Sequence, residues 1–228
     1  MISLLLLNGG VGSRFEAGGP KQFVTINGVP ILVYALKAAD AVASITQIVL
    51  NFPNGHEETV RNVVRDYAIS TPITYVPAGA TRQESGAALL AAATNDLVVI
   101  HESARPLVQS RDFETLIASE HANVGFMHEI PFTVAPVDPA THRVTGSLER
   151  SRLRNVQLPQ KFAAADLRRG YEYAQGADLV YTEDATMCAD AGAEVFFIEG
   201  SEYNIKVTTP GDMNIASLIV SGRAGGNE

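Results

Sequence analysis

The 228 residues hold a single cysteine, Cys188. That excludes an intrachain disulfide and fits a reducing compartment, so a cytoplasmic location is expected. The five histidines are scattered, with no H-E-x-x-H pair, and no zinc site is legible. No apolar run approaches the length of a membrane span. The apolar start is a few residues long and lacks a basic leader, so neither a signal peptide nor a membrane partner is expected. Positive charge is in deficit: 17 Lys and Arg against 25 Asp and Glu give a formal net charge of −8. A nucleic-acid partner is therefore not expected, and any anionic ligand must be met by a local cluster of cations. There is no linker, repeat or low-complexity segment, and 46% hydrophobic residues against 18% charged carry no signature of disorder. Residues 1–228 read as a single domain with length enough for a substantial core.

What is there begins at the start of the chain. Ile2-Ser3-Leu4-Leu5-Leu6-Leu7 reads as a short buried strand, running into Asn8-Gly9-Gly10-Val11-Gly12-Ser13-Arg14-Phe15 and then Gly18-Gly19-Pro20-Lys21-Gln22. A glycine-rich turn after a strand lets backbone N–H groups approach a phosphate without Cβ atoms in the way. Two cations, Arg14 and Lys21, arrive with the turn, a layout suited to a triphosphate that is attacked rather than merely held. The segment is not a dinucleotide fingerprint, because Phe15 stands where the third glycine belongs. Nor is it a P-loop, because the lysine follows Pro20 and precedes Gln22.

Through the first half of the chain, strand candidates (Ile2–Leu7, Gln47–Phe52, Ile73–Val76, Leu97–Ile100, Val124–Met127) alternate with segments of helical spacing (Ile31–Val42, Glu57–Tyr67, Ser85–Ala93, Phe113–Glu120). This predicts an α/β fold, a Rossmann-like, mostly parallel sheet flanked by helices on both faces. Its ligand crevice lies beyond the carboxyl ends of the strands, where the glycine loop and His101–Pro106 would both fall. From Pro131 to Gln160 the alternation of apolar and polar residues around Asp138-Pro139-Ala140-Thr141 predicts a projecting β-hairpin arm, about 131–160. Such an arm is too small to be stable alone and is expected to pack on a second subunit. Helices near Ala164–Ala174 and Glu183–Ala191, a strand at Ala193–Ile198 and a helix from Pro210 to Val220 complete the reading, with a frayed tail from Ser221.

Six blocks, Gly9–Gln22, Gly79–Ser85, His101–Pro106, Val156–Phe162, Thr182–Ala185 and Asn204–Pro210, occur in the order found in the methylerythritol-phosphate and ribitol-phosphate cytidylyltransferases, and the chain resembles that family over nearly its whole length. The resemblance implies transfer of CMP from CTP to a small alcohol phosphate, giving a CDP-alcohol and pyrophosphate. The acceptor it implies first is 2-C-methyl-D-erythritol 4-phosphate, of an isoprenoid precursor pathway. Ribitol 5-phosphate, another polyol phosphate or a phosphonate are alternatives, as is a nucleotidyltransferase using a different NTP. It also implies Arg14, Lys21 and Lys206 as catalytic cations. Lys21 would lie near the α-phosphate, Arg14 toward the β and γ phosphates, and Lys206 opposite the glycine loop. Backbone groups of Asn8, Gly9, Gly10 and Gly12 would face the triphosphate, and Gly79, Ala80 and Ser85 the cytosine.

By the same resemblance Glu102 is the candidate ligand for a Mg²⁺ cofactor, Arg105 lies beside the acceptor phosphate or packs on the arm, and Thr133 and Arg150 bind that phosphate across a homodimer. Bland readings stand beside several of these. Lys206, between Ile205 and Val207, is too apolar in context to be freely exposed and could equally serve a structural salt bridge. Ser85 could be a helix N-cap, and Arg150 one of the exposed charges of the hairpin. Arg82 reads as a contact stabilising its own loop.

The chain departs from the family's pattern at several points. Glu102 stands for the usual aspartate, and Leu158 for a threonine, removing a hydroxyl expected to help hold the acceptor. Phe132 and Ala135 replace an aspartate and a lysine around Thr133; Ala78 replaces a glycine, and Asn8 an alanine. The nucleotide half is largely preserved and the acceptor half is altered.

Overall fold

Strand β1, Ile2–Leu7, sends Leu4 and Leu6 into one hydrophobic core and Leu5 and Leu7 into another, and the fold is built on both of its faces. The computed structural model describes residues 1–10 and 20–225. In chain order, β1 is followed by a 3-10 turn Lys21–Phe23, a two-residue ribbon β2 (Thr25–Ile26) and β3 (Val29–Pro30), α1 (Ile31–Asp40), β4 (Ile45–Phe52), α2 (Glu57–Asp66), β5 (Ile73–Pro77), α3 (Arg82–Ala91), β6 (Leu97–Glu102), α4 (Ser110–Ala118) and β7 (Val124–Glu129). After a second 3-10 turn, Arg150–Arg152, come β8 (Arg154–Ala163), α5 (Ala164–Gly176), α6 (Asp184–Asp190), β9 (Phe196–Glu199) and α7 (Pro210–Gly225).

Seven strands form one sheet in the order β5-β4-β1-β6-β8-β7-β9. β5, β4, β1 and β6 pair in parallel, β8 runs antiparallel to both β6 and β7, and β9 pairs in parallel with β7. The buried faces of α1, α2 and α4 cover one side through Leu32, Leu36, Val60, Val64, Phe113 and Leu116. α3, α5 and α6 cover the other through Leu89, Leu90, Leu167, Tyr171 and Met187. The expected α/β sheet with helices on both faces is therefore present. A third cluster seats α7 through Ala216 against Ile26, Ile31, Leu107 and Val207.

Two expectations need correction. The arm was placed at about 131–160, but Arg154–Ala163 is a central strand, inserted between β6 and β7. Its composition misleads because polar side chains sit buried in it. Gln160 is fully buried and its Nε2 donates to Glu183 Oε1 at 2.5 Å; Lys161 Nζ donates to the Ser119 carbonyl at 2.7 Å; Gln157 Nε2 donates to the Ser201 carbonyl at 2.8 Å. The donors of these side chains satisfy helix ends and loops, while the Oε1 atoms of Gln157 and Gln160 are buried without a hydrogen-bond partner. Leu158-Pro159 falls where the β7–β8 register skips, opposite Gly125/Phe126, the kind of irregularity that admits a proline to a sheet. What projects is residues 130–153, with the expected turn at Asp138: Val137 bridges Val144, and the Asp138 side chain accepts from the Ala140 and Thr141 N–H groups at 2.9 Å. The second correction is at the C-terminal end, where helix α7 continues past Val220 to Gly225.

Candidate active site

A cavity of about 420 Å³ opens at the carboxyl ends of β1, β4, β5 and β6. Gly9 and Gly10 of the glycine loop, Asn51, Asn54 and His56 at the end of β4 and just beyond it, Gly79 to Arg82 with Ser85, and Glu102 with Lys206 line it. Gly9 is required by packing. A Cβ there would overlap the Cβ of Ala78, so the glycine is what lets the loop lie against an alanine where the family's pattern has glycine. The loop is pinned by Gln22, whose Nε2 donates to the carbonyls of Asn8 and Gly10 at 2.5 and 2.7 Å. Gln22 lies one residue from Lys21, which opens the 3-10 turn Lys21–Phe23. Arg14 and Gly12 lie outside the described residues.

Asn8 was expected to face the nucleotide. It is buried instead, its N–H donating to Asn51 Oδ1, and it does not line the cavity; its role is to tie β1 to β4. Ser85 is not the N-cap of α3. Thr81 is, its hydroxyl accepting from the Glu84 N–H at 3.0 Å, while Ser85 Oγ accepts from the Gly79 N–H at 3.0 Å. The Ala80 N–H is held by Glu84 Oε2 at 2.8 Å. The base-side loop is thus preshaped by its own helix.

At the end of β6, Glu102 carries three cations. Arg82 Nε lies 3.2 Å from its Oε1, Lys206 Nζ 2.8 Å from its Oε2, and Arg105 Nε 3.8 Å from the same oxygen. Burial alone would raise this carboxyl's pKa. Lys206, Arg82 and Arg105 outweigh burial and hold it at about 2. Arg82 reaches past Glu102 to Asp184, with Nη2 2.6 Å from Oδ2. Lys206 is more open than its apolar neighbours suggested: its side chain is 39% exposed, against 9% for Glu102, so it faces the cavity while salt-bridged. The run that carries it is docked on the sheet, the Val207 N–H donating to the Ala104 carbonyl at 2.8 Å and Arg105 Nη1 to the Asn204 carbonyl at 2.8 Å. Arg105 is engaged in that docking and with Glu102, and it does not line the cavity.

The donor chemistry at Glu102 does not fit a directly held Mg²⁺. Among the described residues lining the cavity it is the one carboxylate, and both its oxygens are committed to cations.

Leu158, expected at the acceptor, packs in the core with Leu7, Phe162 and Ala185 at 5% exposure and does not line the cavity. Its carbonyl accepts from Asn204 Nδ2 at 2.6 Å. Exchanging threonine for leucine there changes a core contact. Thr133 and Arg150 stand exposed on the arm and do not line the cavity of their own chain; Arg150 Nη1 reaches the Pro131 carbonyl at 3.4 Å.

A glycine-rich turn, a second loop at residues 79–81 and the cations Arg82 and Lys206, gathered at the carboxyl edge of a doubly wound sheet, define a nucleotide-binding site of nucleotidyltransferase type. Comparison with known proteins narrows the class. The sequence profile of IspD, 2-C-methyl-D-erythritol 4-phosphate cytidylyltransferase, matches residues 2–222. The 2-C-methyl-D-erythritol 4-phosphate cytidylyltransferase of Bacillus cytotoxicus is 33% identical over 222 residues, 96% of this chain and 98% of the relative. The solved enzyme of that name from Thermus thermophilus is 27% identical with a TM-score of 0.77, covering 96% and 98% of the two chains. A 4-diphosphocytidyl-2C-methyl-D-erythritol synthase from Anaerococcus prevotii, 23% identical, shares the fold at a TM-score of 0.84 over 97% and 96%. The chain belongs to the 2-C-methyl-D-erythritol 4-phosphate cytidylyltransferase family.

From the sequence alone Arg82 had only a contact to its own loop, and Gln22, Tyr171 and Asp184 had no individual role. The one local signal was position: an arginine opening a helix directly after a glycine-containing loop, and adjacent acids at the start of another helix.

Two groups on β6 contribute to the response to acid. Burial, aided by Arg105 and opposed by Glu102, pushes the His101 imidazole from 6.5 down to about 3. The unfolded chain therefore binds a proton that the folded chain refuses, and stability is lost as pH falls from 6.5 toward 3. Glu102 adds stability that is complete above its ordinary 4.5 and is lost as pH falls from there through about 2. The melting temperature is expected to decline in both windows, and His101→Gln to flatten the upper one. A melting temperature level between pH 6.5 and 4.5 in the unaltered protein would contradict this assignment.

Proposed function

We propose that this protein transfers CMP from CTP to 2-C-methyl-D-erythritol 4-phosphate, giving the CDP-alcohol and pyrophosphate. The observation that carries the reading is the family match over residues 2–222 combined with a cavity whose phosphate end is lined by Gly9, Gly10 and Lys206. Leu158, set in the core, removes the main reason for doubting the family's acceptor. In the reaction an oxygen of the acceptor phosphate attacks the α-phosphorus of CTP. The bond from that phosphorus to the bridging oxygen breaks on the opposite side, and pyrophosphate leaves with the electron pair. Charge gathers on the non-bridging oxygens and the leaving group, so fixed cations lower the barrier. Lys206, held at the cavity by Glu102, serves the α-phosphate; Lys21 and Arg14 serve the triphosphate from the glycine-loop side. Arg82 adds positive potential beside the base-side loop.

We further propose a homodimer joined through the arm, in the cytoplasm, where the buried thiol of Cys188 would remain reduced. The arm exposes Phe132 (76%), Val137 (54%), Val144 (62%) and Leu148 (47%), more apolar surface than so small a hairpin leaves to water without a partner. Thr133 and Arg150, remote from their own chain's cavity, then complete the acceptor site of the partner.

Pyrophosphate release with CTP and the methylerythritol phosphate tests the transfer. Lys206→Ala should lower kcat by about 10²–10³ with the fold intact, and absence of release by the unaltered protein would overturn the reading. Arg150→Ala should also be impaired. Co-expressing it with Lys206→Ala should restore about a quarter of normal activity, because half of the two-fold dimers would then hold one complete site. No recovery on mixing would contradict an acceptor site shared between subunits.

A further inference from the structure

The block Thr182–Ala185 is similar to the family's, yet none of its residues lines the cavity. Its two acids point to different tasks. Glu183 caps α6, its Oε1 accepting from the Ala185 N–H and its Oε2 from the Thr186 N–H, both at 2.8 Å. Asp184, 1% exposed, turns toward α3: Oδ2 accepts from Arg82 Nη2 at 2.6 Å, and Oδ1 from the Tyr171 hydroxyl at 2.8 Å. The neighbouring donor of the same guanidinium, Nε, meets Glu102 Oε1 at 3.2 Å. The fold makes room for this arrangement. A Cβ at Gly86 would overlap the Tyr171 oxygen, so a glycine in the second turn of α3 is what lets the phenol reach Asp184.

We infer that Asp184 is a positioning residue for the transfer: with Tyr171 it clamps Arg82 against Glu102 and thereby fixes the carboxylate that holds Lys206 at the cavity. A guanidinium is planar and presents its donors in a rigid fork, so holding one donor sets the direction of its neighbour. With Nη2 committed to Asp184, Arg82 offers Nε to Glu102 Oε1, and Oε2 is left for Lys206 at 2.8 Å. Without Asp184 the fork is free to turn onto both oxygens of Glu102 in the bidentate manner arginine favours, which displaces Lys206. Asp184 touches neither Lys206 nor the cavity, so its effect on turnover passes through Arg82. The inference rests on the transferase reading above.

The test uses the full chain with Asp184→Asn and Tyr171→Phe, and Arg82→Ala alone and combined with Asp184→Asn. Asp184→Asn should lower kcat roughly ten- to a hundred-fold, the scale of a misplaced catalytic group, while the KM for CTP shifts less than about threefold. Tyr171→Phe should lower kcat in the same direction by less. In the Arg82→Ala background Asp184→Asn should add less than about a twofold further loss. The Arg82 Nε–H signal in ¹⁵N NMR of the free protein should be protected from exchange and lose that protection in Asp184→Asn. Turnover per folded molecule unchanged in both Asp184→Asn and Tyr171→Phe would overturn the inference and leave Asp184 a staple between α6 and α3. An equal loss with and without Arg82 would overturn it as well. Should Asp184→Asn fail to fold, Tyr171→Phe decides by the same kcat criterion. An unaltered protein that releases no pyrophosphate counts against the transfer reading, whereas the NMR signal reports the clamp whether or not turnover occurs.

Discussion

One buried carboxylate meeting three cations organises the catalytic edge of this protein. Glu102 costs the fold its desolvation, which only close partners offset. Arg82, Arg105 and Lys206 supply them from α3, from the turn after β6 and from the run before α7. Together they bring two separate pieces of chain to the end of β6: the 79–81 loop through Arg82, and the 204–207 run through Arg105 and Lys206. The cluster is also short of anions, with three cations against the carboxylates of Glu102 and Asp184. In a chain of net charge −8, this is where an anionic nucleotide finds a positive potential prepared for it.

Close approach is the second constraint. Gly9 lies against Ala78 and Gly86 against Tyr171, and in each case a side chain would occupy the space a neighbour already fills. The first contact brings the phosphate loop beside the base-side loop; the second opens α3 to the support behind Arg82. Hydrogen bonds then hold what the glycines allow. Gln22 grips two carbonyls of the phosphate loop, and Ser85 and Glu84 grip the two N–H groups that begin the base-side loop. The described walls of the cavity are therefore held by the chain's own hydrogen bonds, which lowers the entropy lost when a ligand binds against them.

Local pattern carried much of this. The parallel half of the sheet was legible because β1, β4 and β6 are apolar runs separated by helical spacing, and the glycine loop because its composition is dictated by backbone approach. β8 was not, since Gln157, Gln160 and Lys161 look like surface residues and are buried only because helix ends and loops elsewhere need their donors. The site divided in the same way. Lys206, Glu102, Gly79 and Ser85, named from their blocks, line the cavity, but Glu102, named as a Mg²⁺ ligand, sits among three cations. Asn8, Arg105 and Leu158 were misassigned because the tertiary partner that engages each one lies dozens of residues away: Asn51 for Asn8, Asn204 for Arg105 and Leu158. Arg82 gained its meaning only when Asp184, 102 positions along the chain, was seen beside it.

The central claim is that Glu102 helps an anionic ligand by arranging cations, although it is itself an anion. Calorimetric titration of CTP into the unaltered protein and into Glu102→Gln, at equal ionic strength, separates the two effects of that side chain. If the carboxylate organises Arg82 and Lys206, its loss weakens CTP binding by about tenfold or more, despite one fewer negative charge at the site. Tighter binding in Glu102→Gln, as simple removal of a repelling charge would produce, would contradict the account.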